Sequence, residues 1–371
     1  MDNIKIPIHH INIKSGRKAI DKWKVSEQDK KDVKRFLDDL GLGKVNKGRK
    51  ISGGRQLRYI DFLKTLLEFF EKPVMELTIK DIEKFEKALT SDRLRCRRKK
   101  TPYASETKST LKKALRIYLR WKRPEDVHKL VDWLDYRKQR KTPDFLSESD
   151  VEKLYRACNT AELRFIVAVL FDSGARAEEF HNIRFEDIFL PEGKNNFVKI
   201  SLKEEYSKTK GRTIGLYWKY STNAVLDYLD ERKKEGIKSK DPVFKNSYDN
   251  ARCILQRLGK KVLGRSIHYH LFRHSSATYY APKMNRQELC YRYGWTFSSD
   301  MPDVYISRSG EFEKQINEKF TNTELEELKR QLMDHEQKNK MLADEQTKLK
   351  EEIKQIRDMN KNVLERLESL K

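Results

Sequence analysis

Five short segments of this 371-residue chain carry side chains able to do chemistry. The first is Asp172-Ser173-Gly174-Ala175-Arg176-Ala177-Glu178-Glu179. The second is Ser207-Lys208-Thr209-Lys210-Gly211-Arg212, and the third is His270-Leu271-Phe272-Arg273-His274. Tyr293-Gly294-Trp295 is the fourth, and Asp303-Val304-Tyr305 ends ten residues beyond Trp295. A guanidinium is always charged and presents a planar fork of donors, which suits a phosphate. A lysine can give up a proton and an imidazole can take one. A phenol, with a pKa near 10, needs help to lose its proton before it can act as a nucleophile. Any one of these segments alone would persuade nobody, because R-x-x-E and H-x-x-R occur everywhere.

The charge of the chain supports a polyanionic partner. Lys and Arg number 80 against 57 Asp and Glu, a formal charge of +23. Residues 321–371 hold 11 basic and 12 acidic side chains, so the excess lies in the body of the chain. A basic body is the electrostatic footprint of nucleic-acid binding, made favourable and salt-sensitive by counterion release. Two stretches concentrate it: residues 44–58, including Arg49, Lys50 and Arg55, and residues 93–100, including Arg97, Arg98 and Lys99. Solubility alone is the blander explanation of such runs. The longest apolar run, Phe165 to Phe171, is far short of the roughly 20 residues that cross a bilayer. Met1-Asp2-Asn3 lacks a basic-then-apolar leader. The four cysteines show no C-x-x-C spacing, so neither zinc nor a disulfide framework is expected. A cytoplasmic, DNA-associated protein with no membrane partner is expected.

The elements that must position these residues are mostly helices. Gly and Pro together number only 24. Residues 1–25 show no firm period and read as an arm. Ser26 caps a helix with Val33, Phe36, Leu37 and Leu40 on one face, and Gly41 reads as its stop. Residues 55–72 form a second helix ended by Pro73, and Thr78 with Asp81 opens a third. Ser105 opens a fourth, with Leu111, Leu115 and Tyr118 inward. Lys108 and Lys112 lie on its other faces, either along DNA or in solvent. Residues 137–146 break the pattern as a linker. Ser147 with Asp150 then opens a new helix, and residues 165–171 read as a buried one. Val198, Ile200 and Leu202 alternate with polar residues as a strand. Residues 208–211 are a hairpin tip, 212–218 the returning strand, and helices resume after Ser221. From Leu325 a heptad register runs to the end with ten of its fourteen a and d positions apolar, a coiled-coil signal. Asn339 and Asn360 at a positions suit a two-stranded state. The expected fold class is mainly α with a small antiparallel β-sheet.

The ordered segments resemble the tyrosine recombinase, or lambda-type integrase, family over residues 147–315. That family's pattern is G-x-R-x-x-E, a hairpin lysine, H-x-x-R, a His or Trp after glycine, and a tyrosine about ten residues later. The segments around the tyrosine look most like archaeal or archaeal-virus members. The resemblance implies a helical DNA core-binding domain at 26–136 and a catalytic domain at 147–320, to which the heptads add a coiled-coil tail at 321–371. It implies that Tyr305 attacks a DNA phosphodiester to form a 3′-phosphotyrosine and expel a 5′-hydroxyl. Arg176 and Arg273 would clamp the nonbridging oxygens, and Lys208 would protonate the leaving oxygen. The family lysine often precedes Thr, as Lys208 does, with Lys210 as the alternative. His270 would accept the tyrosine proton or hydrogen-bond the phosphate. Trp295, where most members have histidine, would donate its indole N–H. Glu179 would orient an arginine or histidine, and His274 reads as structural. No metal, nucleotide or other cofactor is implied. Double-stranded DNA carrying an attachment site is the implied partner, with a tetrameric synapse. Residues 311–316 match the place of a helix that docks on a neighbouring protomer. The long tail is unusual for the family and reads as an added dimerisation or partner-binding arm. Two rivals share parts of this pattern. A type IB topoisomerase would use the same phosphotyrosine, but generally lacks the histidine of H-x-x-R. An architectural DNA-binding protein would bind without cleaving.

Overall fold

A computed structural model describes residues 5–8, 11–137, 143–193, 196–207 and 210–307. In the tail it describes helical positions at 328–329, 331–333, 335–336, 338–340, 342–343, 345–354 and 357. The chain forms two compact units: one is Pro7–Pro143, and the other runs from Asp144 and includes Lys5 and Ile6.

The first unit is helical. Its main helices are α1 (Ile13–Ala19), α2 (Glu27–Leu42), α3 (Gly53–Phe70), α4 (Ile79–Thr90), α5 (Ser105–Lys122) and α6 (Val127–Val131). Ser26 caps α2 by accepting from the Asp29 N–H. The helix passes Gly41 and stops at Gly43 instead, where φ is +87°, a conformation that suits glycine alone. A Cβ at Gly43 would lie 2.7 Å from the Gly48 carbonyl oxygen. Thr78 and Asp81 close a capping box at α4. Phe36 of α2 sits at the centre, edge-on to Tyr59, Tyr118 and Trp121 with centroids 5.1–5.7 Å away. The stretch read as an arm is structured in part. Ile20 and Trp23, just after α1, are buried in this core. Two apolar anchors are too few to give a helical period, but enough to fix a short helix by tertiary packing. Residues 138–142 of the expected linker lie outside the described residues.

The second unit places a small sheet among helices. Its elements are α7 (Glu148–Arg156), α8 (Ala161–Ser173), α9 (Ala177–His181), β1 (Ile188–Phe189), β2 (Lys199–Leu202), β3 (Arg212–Gly215), α10 (Ser221–Lys234), α11 (Tyr248–Leu263), α12 (Tyr269–Tyr280), α13 (Arg286–Tyr293) and α14 (Met301–Ile306). The sheet is antiparallel in the order β1-β2-β3, with Ile200 opposite both Ile188 and Ile214. The returning strand ends at Gly215, short of Trp218, because Trp218 turns inward to donate its backbone N–H to Asp172. Helix α8 is buried along its length from Phe165 to Ser173 and packs against α7, α10 and α12. Ile6 is clasped at its backbone by the Asn182 side chain, which accepts at 2.7 Å and donates at 3.0 Å.

Among the described residues no helix is long and apolar enough to cross a membrane. The described tail positions are helical, and Leu328, Leu332, Leu342, Leu349 and Ile353 are all at least half exposed.

Phe36→Ala removes a fully enclosed ring and is expected to lower the unfolding free energy by about 3–5 kcal/mol. Urea unfolding checks this: the midpoint should fall with the slope unchanged.

Candidate active site

Gly174 ends α8 at φ +57°, and a Cβ there would lie 2.4 Å from the Tyr293 ring. Only glycine allows both the turn and the approach. The turn delivers Arg176 as the N-cap of α9. Glu179, one turn later, accepts from the Arg176 backbone N–H at 2.9 Å and from its guanidinium at 3.0 Å.

Glu179 is 2% exposed and joins three segments. Besides Arg176 it accepts two bonds from the Arg212 guanidinium of β3, at 3.0 and 3.2 Å, and one from the Ser207 hydroxyl at 2.5 Å. Burial pushes its carboxyl pKa up. The opposing bonds and charge of Arg212, with Ser207 and the Arg176 N–H, outweigh that and hold it at about 2. Arg212 also donates from Nε to the Arg292 carbonyl at 2.8 Å, tying the hairpin to α13.

Helix α12 carries the next three groups. Arg273 is buried, donating to the Gly174 carbonyl at 2.8 Å and the Tyr293 carbonyl at 2.6 Å. Its guanidinium lies over the rings of Tyr293 and Trp295 at 5.3 and 5.7 Å. Burial, then the Arg176 charge, lowers its pKa to about 9, so it stays a cation at neutral pH. His270 lies one turn earlier and is exposed. Partial desolvation, then the charges of Arg273, His268 and Arg176, lowers its pKa below the ordinary imidazole value. His274, one turn after His270 on the same helix face, hydrogen-bonds Tyr305 through Nδ1.

Helices α13 and α14 bring the aromatic groups. Gly294, at φ +58°, ends α13 and turns Trp295 inward. The Trp295 indole lies parallel to the Tyr305 ring, with centroids 5.5 Å apart and planes 5° from parallel. Tyr305 is 1% exposed and packs with Ala277, Tyr280, Leu289 and Tyr293. Arg286 clasps the connection: it donates to the Phe297 and Ser299 carbonyls and to the Asp303 carboxylate at 2.7–3.3 Å.

The structure therefore brings Arg176, Glu179, His270, Arg273, Trp295 and Tyr305 into one connected cluster. Lys210 is exposed on the hairpin. Lys208, the first choice for the proton donor, lies outside the described residues, as does the expected docking segment at 311–316. Three residues carry roles the sequence reading did not assign. Arg212 anchors Glu179. Arg292 donates to the Asp172 carbonyl and carboxylate at 2.6 and 2.9 Å, beneath the site. His274, read as structural, touches the phenol. The signal for Arg212 was its place just after the hairpin glycine. For His274 it was a four-residue offset from His270, which puts both on one helical face.

The DNA-binding candidates divide. Arg49, Lys50, Arg55, Arg98 and Lys99 are exposed, and Arg97 is exposed with a long 3.7 Å pairing to Glu68. Lys112 is a correction: it is buried, bonding Glu86 at 2.6 Å and the Asp135 carbonyl at 3.2 Å. Lys108 is likewise paired, with Asp92 at 2.6 Å. Helical periodicity could not show that acids on α4 and its following turn face this side of α5. Among the described residues no group of three His, Cys, Asp or Glu could hold a metal ion.

Residues 144–311 match the sequence model of the phage integrase family. Over this segment the chain is similar to the phage integrase family, the tyrosine recombinases. The tyrosine recombinase XerA of Saccharolobus solfataricus is 27% identical over 159 residues, covering 41% of this chain and 50% of XerA. Transposase A from transposon Tn554 of Staphylococcus aureus is 26% identical over 160 residues, 39% of this chain and 43% of the transposase. The chain thus spans about half the length of the curated relatives it matches. The fold is shared with a lambda integrase dimer bound to a COC′ core site, at 16% identity and TM-score 0.55, covering 74% of this chain and 76% of that one. It is shared too with XerH bound to palindromic difH in a post-cleavage complex, at 18% identity and TM-score 0.54, covering 86% and 97%.

Glu179 is ionised in the folded chain down to about pH 2, against an ordinary value of 4.5. A depressed carboxyl pKa stabilises above the unfolded value, and that stability drains away as pH falls toward the folded one. Unfolding free energy measured from pH 4.5 down to about 2 should therefore fall more steeply in the wild type than in Glu179→Gln. Glu179→Ala leaves the Arg212 guanidinium buried without its carboxylate and is expected to cost roughly 3–5 kcal/mol, read by urea unfolding at neutral pH.

Proposed function

We propose that the chain is a site-specific DNA recombinase that cuts and rejoins duplex DNA through a 3′-phosphotyrosine at Tyr305, serving integration or excision of a mobile element. One observation carries this reading: the Tyr305 phenol lies between an imidazole and an indole, next to a buried arginine whose helix neighbour senses a second arginine. The family relationship of residues 144–311 supports it.

In this reading the Tyr305 oxygen attacks phosphorus, and its proton leaves to a base. The P–O5′ bond breaks, and the leaving oxygen takes a proton from the hairpin lysine, Lys208 or else Lys210. The transition state places extra negative charge on the nonbridging oxygens, where Arg176 and Arg273 offer fixed positive charge in a site already shaped for it. Glu179 holds Arg176 in its rotamer, so that donor is oriented before DNA arrives. The Trp295 indole N–H donates to the phosphate. The energy of the broken bond stays in the phosphotyrosine link, so no metal or nucleotide is required. A 5′-hydroxyl of a second strand then attacks, releases Tyr305 and completes the exchange. Arg49, Lys50, Arg55, Arg97, Arg98 and Lys99 supply phosphate contacts from the first unit. Self-association accompanies the reaction, and the apolar seam of the tail, with Leu328, Leu332, Leu342, Leu349 and Ile353 exposed, is the arm that pairs two chains.

Two experiments test this. Wild type and Tyr305→Phe are incubated with nicked duplex DNA in EDTA without ATP. The wild type is expected to form a protein–DNA adduct that survives SDS, and the variant none. An adduct that persists in the variant would assign the wrong tyrosine. Tight binding with no adduct from wild type would favour an architectural protein. Removing residues 321–371 is expected to turn a multimer into a monomer by light scattering; a monomer both before and after removal would rule out pairing by the tail.

A further inference from the structure

The sequence pattern leaves two roles open for His270: taking the phenol proton or bonding the phosphate. The structure divides these between two histidines one turn apart on α12. The His270 and His274 rings are in edge contact, with centroids 4.4 Å apart. His270 lies within reach of the charges of Arg273 and Arg176, the groups that would hold a phosphate. His274 is the one that reaches Tyr305.

The contact is well placed for proton transfer. His274 Nδ1 lies in the hydrogen-bonding direction of the Tyr305 hydroxyl, with the two rings tilted by 33°. With the imidazole neutral and its proton on Nε2, the Tyr305 O–H donates to Nδ1. Trp295, stacked on the phenol, fixes the ring plane and so the position of the hydroxyl oxygen. The His274 backbone carbonyl accepts from the Thr278 hydroxyl at 3.0 Å, which braces this turn of α12.

We propose that His274, and not His270, is the general base of DNA cleavage, its Nδ1 taking the proton of the Tyr305 hydroxyl. This rests on the phosphotyrosine reading above. As the O–P bond forms, the Tyr305 O–H breaks and its electron pair stays on oxygen. The proton goes to His274 Nδ1, giving an imidazolium. The P–O5′ bond breaks and its oxygen is protonated from the hairpin. In the rejoining step the imidazolium returns its proton to the departing phenolate. His270 is left to bond the phosphate beside the two arginines.

The test uses the full chain and a pool of nicked duplexes with randomised arms, cut products being recovered as SDS-resistant adducts. The most frequent recovered sequence is resynthesised as the probe. His274→Ala and His274→Gln are compared with wild type on it, each also made with a fluorinated tyrosine at position 305. The fluorinated phenol ionises more readily and depends less on a base. Gln keeps a hydrogen-bonding side chain next to the phenol but has no basic nitrogen, and retained DNA binding shows that a variant is folded. Both variants are expected to bind the probe as wild type does and to cleave it about 10²–10⁴-fold more slowly. Fluorotyrosine should return most of that rate to the variants and change wild type little. Cleavage by a variant at the wild-type rate would overturn the assignment. So would a loss, in a variant that still binds DNA, that fluorotyrosine does not repair. Absence of any adduct from wild type would overturn the phosphotyrosine reading itself, and this inference with it.

Discussion

A single buried carboxylate holds this site together. Glu179 is almost fully withdrawn from water, where an unpaired charge would be very unfavourable. It is tolerated because three segments distant in sequence bring donors to it: Arg176 at the head of α9, Ser207 on the hairpin and Arg212 on β3. Each donor in turn is fixed by Glu179. The Arg176 guanidinium and the two ends of the hairpin, at Ser207 and Arg212, are therefore set by the same pair of oxygens. Disturbing one disturbs both.

A second buried layer supports the first. Asp172, fully enclosed, accepts from Arg292, from the Tyr280 hydroxyl and from the Trp218 backbone. Arg292 also donates to the Gly215 carbonyl at the end of β3. Helix α8, helix α12, helix α13 and the sheet thus meet at one acid. Arg273 lies above it, satisfied by two backbone carbonyls that exist in those positions only because Gly174 and Gly294 turn the chain there. Two glycines and two acids fix where the guanidinium sits.

Much of this was legible in the sequence, for a physical reason. Caps and periods are local, so Ser26, Thr78 and Ser147 with their acids announced helix starts, and Val198-Ile200-Leu202 announced a strand. The order of the chemical segments pointed to the cluster, since the types are scarce and the spacing is demanding. What was not legible depends on facing partners. Nothing in the α5 periodicity shows that Glu86 of α4 faces Lys112, so a buried ion pair read as a basic surface. Nothing local distinguishes His274 from a packing histidine, because its partner lies 31 residues away on another helix. The stop at Gly43 instead of Gly41 comes with the turn that follows, in which Gly43 takes φ +87° and lies against the Gly48 carbonyl; two glycines two residues apart offered either stop.

The burial of Tyr305 sets the population of chains in which its oxygen is open to a phosphate. The ring belongs to a small apolar cluster and is 1% exposed. Withdrawing an aromatic side chain from such a cluster costs about 1.5–3 kcal/mol. At about 1.4 kcal/mol per factor of ten, an outward phenol is present in roughly one chain in ten to one in a hundred without something to hold it there. In chain alone, then, the hydroxyl is shielded from small electrophiles and stray phosphoryl groups in solution. On the mechanism proposed above, the phosphate must reach the hydroxyl where His274 holds it, so the polyanion's binding free energy is spent on opening the cover over the ring and not on moving the ring.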